Sequence, residues 1–270
     1  MDGADRYVVT LATYGRRAAS RSEVFLNFSL YGEEDGPIGM DYFVWLARNS
    51  ERTVLIDTGF SAEGGRRRGR DLLIESAELF GRLGLDPATA PVVIITHAHY
   101  DHIGNLRTFP GSTVHVSARE LAFWTGPHRE RHLFAHSVEE GELQHLADVV
   151  AEGRADLTSG RQWVAPGIEM IEVGGHTPGQ TMVRVNTSQG WVLLTSDAMH
   201  YYEELERDRP FSSVADVVGM YDAFAAIRAM VDGGEVQHVV SGHDPDTFTR
   251  LGPVARVSED GLVATIGGAT

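Results

Sequence analysis

The chain has 270 residues, 42% of them hydrophobic and 23% charged, a composition that suits one large globular domain and excludes a disordered or collagen-like chain. No apolar run approaches the roughly 20 residues of a membrane span, and the formal charge of −15 works against a polyanionic partner such as nucleic acid. Cysteine is absent, which excludes disulfides and thiolate ligands and leaves His, Asp and Glu to hold any metal.

The leading residues Met1-Asp2-Gly3-Ala4-Asp5 are acidic where a secretory signal is basic, and no apolar stretch follows, so a cytoplasmic location is expected. Every basic residue is arginine, which excludes lysine Schiff-base chemistry.

In chain order, Glu23–Leu30, Met40–Ala47 and Arg52–Ile56 read as strands of a meander, rich in Val, Phe, Tyr, Trp and Ile and separated by turn clusters. The basic patch Arg66-Arg67-Arg68-Gly69-Arg70 reads as a solvated loop in preference to an anion site. The spacing of Leu72, Leu73, Ala77, Leu79, Phe80 and Leu83 predicts a helix over 71–85 that Gly84 ends. Val92–Thr96 is a short apolar run that suits a strand buried on both faces. A strand over 113–116 leads to Ser117, a candidate N-cap for a helix from Ala118 to about Trp124.

The polar segment 125–162 is only weakly periodic and reads as a partly helical insertion or lid within a single domain spanning 1–270. Strands are expected at Ile168–Val173, Met182–Asn186 and Trp191–Ser196, then a helix over Val214–Val231 and a last strand at Val236–Val240. Interleaved strands and helices without a linker predict an α/β chain with two packed mixed sheets and outer helices.

Chemistry concentrates at Thr96-His97-Ala98-His99-Tyr100-Asp101-His102, where the buried strand stops. In extended chain His97 and His99 point the same way and can share one ion. Asp101 and His102 lie past the turn, where they can address a second. Further candidate ligands stand just beyond other strands: His176 in Gly-Gly-His-Thr-Pro-Gly, Asp197 after Trp191–Ser196, and His243 in Ser-Gly-His-Asp-Pro. Ligands at several strand ends converge on one edge of a sandwich. His115, His238 and the 125–162 histidines His128, His132, His136 and His145 read as structural or solvated.

The order His97-x-His99-x-Asp101-His102, Gly-His176-Thr-Pro-Gly, Asp197, Gly-His243, with Val54-Leu55-Ile56-Asp57-Thr58-Gly59 ahead of it, resembles the metallo-β-lactamase superfamily. That resemblance implies an αββα sandwich and two divalent metal ions, usually zinc, with iron, manganese or cobalt as alternatives. It places His97, His99 and His176 on one ion, Asp101, His102 and His243 on the other, and Asp197 as the bridge. The lack of cysteine argues against the commonest β-lactamase chemistry, and His99 argues against a redox di-iron branch.

Met40-Asp41-Tyr42-Phe43-Val44-Trp45, Asp57-Thr58-Gly59-Phe60 and Ser196-Asp197-Ala198 look most similar to the N-acyl-homoserine lactonase group, which implies attack of metal-generated hydroxide on a lactone. That group carries a tyrosine three residues after the bridging aspartate. Here His200 stands there, followed by Tyr201 and Tyr202. The expected catalytic residues are therefore Asp101 as proton carrier and His200 or Tyr201 as donor to the carbonyl oxygen. The expected partner is a small lactone or ester, with no nucleic acid and no membrane, and a homodimer is left open. A thioesterase of the glyoxalase II kind is the main rival. A phosphodiesterase is disfavoured by the charge, and a non-catalytic module by the full ligand set.

Overall fold

Residues 5–268 are described by the computed structural model, and the acidic residues 1–4 lie outside it. A long antiparallel pair opens the chain, β1 (Val8–Ser20) and β2 (Pro37–Arg48), with the helical turn α1 (Arg21–Val24) between them and β3 (Thr53–Ile56) after them. Next come α2 (Ala62–Arg67), β4 (Asp71–Leu72), α3 (Ser76–Arg82), β5 (Val92–Ile95), α4 (Tyr100–Ile103), β6 (Val114–Ser117) and α5 (Ala118–Thr125). The middle holds α6 (His132–Ala135), α7 (Glu140–Ala151), β7 (Ala155–Thr158), β8 (Arg161–Ala165), β9 (Ile168–Glu172), β10 (Thr181–Thr187) and β11 (Gly190–Leu194). Then follow α8 (Tyr202–Arg207), α9 (Val217–Asp232), β12 (His238–Val240), α10 (Thr247–Arg250), β13 (Ala255–Val257) and β14 (Val263–Ile266).

One sheet runs β13-β14-β1-β2-β3-β5-β6-β7, with β4 against β1, and the other runs β12-β11-β10-β9-β8. Strand alternation decides what each face buries. Phe43, Trp45 and Ala47 of β2 and Ile94 of β5 meet Met170, Val183, Val185 and Leu194 between the sheets. Their neighbours Tyr42, Val44, Leu46, Val93 and Ile95 face outward, in one apolar cluster with Leu79 and Phe80 of α3, Trp124 of α5 and Leu143, Leu146 and Val149 of α7. On the far side Met182 and Leu193 pack with Ala223, Ile227 and Met230 of α9. Helices thus cover both outer faces, the αββα order expected from the sequence. The strands β3, β5, β9, β11 and β12 each end at the site edge. Trp45 is fully buried between the sheets, so its truncation to alanine should cost about 3–5 kcal/mol.

Several expected elements differ. The strand expected over Glu23–Leu30 is instead α1 followed by a 3-10 turn at Phe28–Tyr31. Glu23 accepts from the Ser20 amide at 2.7 Å and starts the turn, while Asn27 adopts a left-handed φ of 50° that no strand contains. The helix expected over 71–85 begins only at Ser76, because Asp71 and Leu72 pair with Arg16 and Gly15 of β1. α9 starts at Val217 rather than Val214, where the Asp216 side chain caps the Val218 amide.

Within 125–162, Ala155–Thr158 is a strand of the larger sheet, parallel to β6. The chain does not finish at β12: β14 pairs with β1 along Val9–Ala12. The patch at 66–70 is no free loop either. Arg66 and Arg67 belong to α2, Arg67 and Arg68 both pair with Glu139, and Arg68 Nη2 donates to the carbonyls of His136 and Val138 at 2.8 and 3.1 Å.

Candidate metal centre

β5 stops at Ile95, and the chain then turns into α4 through His97 and His99. Two carboxylates from other elements set that turn. Asp57, at the end of β3 with a left-handed φ of 59°, accepts from the Thr96 amide at 2.8 Å and from Thr96 Oγ1 at 2.8 Å. Its Oδ2 also takes His102 Nδ1 at 2.7 Å. Glu120 of α5, fully buried, accepts from the Ala98 amide at 2.9 Å and from Trp124 Nε1 at 2.7 Å. Its other oxygen takes Thr177 Oγ1 at 2.7 Å and the Gly179 amide at 3.0 Å, which fastens the loop carrying His176 to the loop carrying His97 and His99. A Cβ at Gly179 would lie 2.2 Å from the Glu120 nitrogen, so only glycine permits this approach.

The remaining ligand candidates are set mainly by backbone. His176 Nδ1 donates to the Ser213 carbonyl at 2.7 Å and His243 Nδ1 to the Asp41 carbonyl at 2.8 Å. A carbonyl accepts only, so both rings carry their proton on Nδ1 and turn a lone pair at Nε2 toward the centre. Asp197 sits in a 3-10 turn after β11. Gly242 admits the chain beside it, since a Cβ there would fall 2.5 Å from the Ser196 carbonyl oxygen.

Three groups of buried ligands result: His97, His99, His176 and Asp197; Asp101, His102 and His243; and Asp197, His200 and His243. Asp197 is shared. Its Oδ2 lies 3.3 Å from His176 Nε2 and 3.7 Å from His97 Nε2, and its Oδ1 lies 3.1 Å from His243 Nε2 and 3.3 Å from His102 Nε2. His200 Nε2 is 3.0 Å from Asp197 Oδ2, and its Nδ1 faces Glu204 at 3.4 Å. Glu204, fully buried, is itself fixed by the amides of His200, Tyr201 and Phe211.

Among the described residues, His97 Nε2, His102 Nε2 and both ring nitrogens of His200 are buried without a hydrogen-bond partner. Leaving a buried polar atom unpaired costs about 1–3 kcal/mol, so this cluster is one that cations complete. The donor set of imidazole nitrogen and carboxylate oxygen suits zinc and the neighbouring divalent metals.

The electrostatics agree. Burial holds His97 and His99 well below the usual imidazole range and His176 at about 3, so all three are neutral and ligand-ready. At His102 burial opposes the charge, but Asp197, Asp57 and Asp101 lift it well above that range. At His200, against the same burial, Asp197 and Glu204 raise it to about 9. Burial pushes Asp197 up, yet His200, His243 and His102 hold it well below the carboxylate range. Positive charge is demanded at Asp197, which is what divalent ions supply.

The centre opens into a cavity of about 380 Å³ lined by His99, Asp101, His176, Asp197 and His200 together with Arg17, Tyr42, Arg70 and Tyr100. A second cavity of about 220 Å³ adjoins it through His99, His136, His176 and Ser212–Ser213, and its walls include Phe123, Trp124, Leu133, Phe134 and Val214. All seven expected ligands meet here, and His200 joins them. Tyr201 does not: its hydroxyl donates to the Gly39 carbonyl at 3.0 Å and its ring lines a different cavity. Tyr202 likewise donates to the Val239 carbonyl. The phenols that line the cavity are those of Tyr42 and Tyr100. His136, read from sequence as solvated, lines both cavities. His115 and His238 stay apart, beside Asp156 and the Gln189 carbonyl.

The fold and this cluster define a metal-dependent hydrolase of one superfamily. The chain belongs to the metallo-beta-lactamase superfamily, whose family model matches residues 39–243. Among named relatives, an N-acyl homoserine lactonase of Bacillus thuringiensis is 26% identical over 190 residues, covering 65% of this chain and 70% of the relative. A crystal structure of a quorum-quenching N-acyl homoserine lactone lactonase superposes with a TM-score of 0.75 at 21% identity, over 91% of this chain and 95% of that one. A dizinc quorum-quenching lactonase, in complex with the product N-hexanoyl-L-homoserine, superposes with a TM-score of 0.69 at 17% identity, over 100% and 99% of the two chains. No helix among the described residues is long and apolar enough to cross a membrane.

Proposed function

We propose that this protein is a dinuclear metal-dependent hydrolase that opens a lactone ring of the N-acyl-homoserine lactone type. The observation that carries the reading is the two buried ligand groups, His97, His99 and His176 and Asp101, His102 and His243, on either side of Asp197 beside a cavity with an apolar side chamber. His97, His99 and His176 would hold one ion and Asp101, His102 and His243 the other, with the Asp197 carboxylate beside both groups. Two divalent ions bound there lower the pKa of a water to about 7 and polarise a carbonyl oxygen.

The protein's own groups do the rest. Phe123, Trp124, Leu133 and Phe134 bury an acyl chain beside the centre and exclude water from it. His200, whose backbone amide is held by Glu204 at 2.7 Å, donates from Nε2 to the carbonyl oxygen as negative charge develops there. Asp101, which lines the cavity, takes the proton that the attacking water gives up and passes it to the leaving alkoxide. The product is a hydroxy acid, because the leaving group of a lactone stays tethered.

A panel of lactones, thioesters and aryl esters, given to protein loaded with zinc or with manganese, tests this. Lactone opening that a chelator abolishes is expected. Faster turnover of thioesters than of any lactone would move the protein to the glyoxalase II kind.

A further inference from the structure

The protein carries a formal charge of −15, yet three arginines, Arg17, Arg68 and Arg70, line the cavity over the metal ligands. Two of them are spoken for. Arg68 pairs with Glu139 and stacks on Tyr100, 4.0 Å from the ring centre. Arg17 meets Glu23 at 3.3 Å near the surface. Arg70 is different: its Nε donates to the Tyr100 hydroxyl at 3.1 Å and its Nη1 to the Arg68 carbonyl at 2.7 Å. Both partners are neutral, and no carboxylate lies within ion-pair distance of Arg70 among the described residues. Those two bonds fix the plane of the guanidinium and leave Nη2 without an acceptor among the described residues.

The acidic groups that share the cavity, Asp101 and Asp197, lie beyond ion-pair distance of Arg70; against its burial, Tyr100, Tyr42 and Asp101 keep the guanidinium charged. A part-buried guanidinium that stays charged, with one edge open to the cavity and no ion-pair partner among the described residues, is a seat for an anion.

We infer that Arg70 is a specificity residue that receives a carboxylate of the substrate, so that the preferred lactones and esters carry an acidic group away from the reacting carbonyl. This rests on the hydrolase reading above; a plain N-acyl-homoserine lactone bears no carboxylate, so within that reading it selects lactones whose acyl chain or ring carries one. The choice of carboxylate follows from the donors: Nε and one Nη1 hydrogen are already used, which leaves one short edge suited to a small planar monoanion. A phosphate, with three charged oxygens, would want more donors than that edge offers. Tyr100 acts as a positioning residue, because its hydroxyl holds the Arg70 plane.

The test is binding, measured by calorimetry on zinc-loaded protein. Succinate, glutarate and adipate are compared with butyrate, pentanoate and hexanoate, so that each pair differs only in the second carboxylate. One carboxylate of either series can occupy the metals, and only the diacids reach Arg70. At least one diacid is expected to bind about tenfold or more tightly than its monoacid partner, the scale of one charge-assisted hydrogen bond. R70Q should erase that preference while the monoacids bind as before. R70K, which keeps the charge without the fixed plane, should retain part of it, and Y100F should weaken it less than R70Q.

Equal affinity for both series, a failure of either series to bind, or an equal loss for both in R70Q at unchanged thermal midpoint would each overturn the proposal. Hydrolysis is read separately. If no ester or lactone turns over but the diacid preference and its loss in R70Q persist, the function proposed above fails and the carboxylate site stands.

Discussion

The two halves of the ligand set are built differently. Four candidates, His97, His99, Asp101 and His102, come from six consecutive residues after β5, and that loop is held by buried side-chain carboxylates, Asp57 and Glu120. His176 and His243 come from separate strand ends, and each is oriented by a backbone carbonyl, of Ser213 and of Asp41. A dense motif is therefore not self-sufficient: packing four polar groups on one tight turn requires acceptors from elsewhere in the chain. Scattered ligands borrow the frame that the strands already provide. The first half should be sensitive to loss of Asp57, whereas the second, apart from the His176 loop that Glu120 also fastens, should not depend on single side chains outside it.

The sharpest disturbance of both halves is at the residue they share. Asp197→Ala should remove most bound metal and all measurable hydrolysis together, read by elemental analysis and initial rates. Retention of two ions per chain would show that the halves do not depend on a common carboxylate.

His200→Ala comes next, because His200 belongs to the second half by position yet is held by a side-chain carboxylate, Glu204, as the first half is. A fall of roughly 10- to 1,000-fold in kcat with metal content unchanged is expected of a lost oxyanion donor. Loss of metal would make His200 a ligand instead, and a silent change would sink both roles.

Asp57→Asn then probes the first half alone. It offers His102 Nδ1 an amide where an acceptor is needed, and metal affinity, measured by competition with a chelator, should fall about 10- to 100-fold. Unchanged affinity would break the contrast from that side. Ser213→Ala is the smallest effect and the complementary control. It keeps the carbonyl that orients His176, so stability and metal affinity should stay within about 0.5 kcal/mol of the parent. A drop as large as that of Asp57→Asn would break the contrast from the other.

The same difference explains how much could be read from the sequence. His97 to His102 announce themselves, because four ligating groups in six residues have no common structural reason to occur together. His176, Asp197 and His243 become legible through their order and their place after apolar strand runs. Glu120 carried no signal: one carboxylate inside the helix Ala118–Thr125 looks like a solvated residue, and only the three-dimensional meeting of Ala98, Trp124, Thr177 and Gly179 around it gives it a role. Arg70 looked like part of a charge run, since nothing in the sequence says that Glu139 would claim Arg67 and Arg68 and leave Arg70 unpaired.

Tyr201 was singled out by its nearness to Asp197 in sequence, but the turn before α8 sends its ring toward Gly39. In the fold, the apolar alternation of β2, β3, β5 and β9–β11 was readable because both faces of these strands are buried. β1 and β14 were not, because Gly15, Arg16 and Arg17 in the one and the brevity of the other blur the pattern.

Asp41 and His243 are joined twice: the Asp41 amide donates to the His243 carbonyl at 2.9 Å, and the His243 ring donates back to the Asp41 carbonyl at 2.8 Å. These residues stand 202 positions apart, so the clasp closes a loop that contains most of the chain, and such long-range closure comes late in folding. During synthesis the ribosome must release the last ligand before the clasp can form, so a nascent chain can gather the His97-to-His102 loop but cannot seal the pair of sites. Metal capture in full therefore waits until two segments 202 positions apart have met.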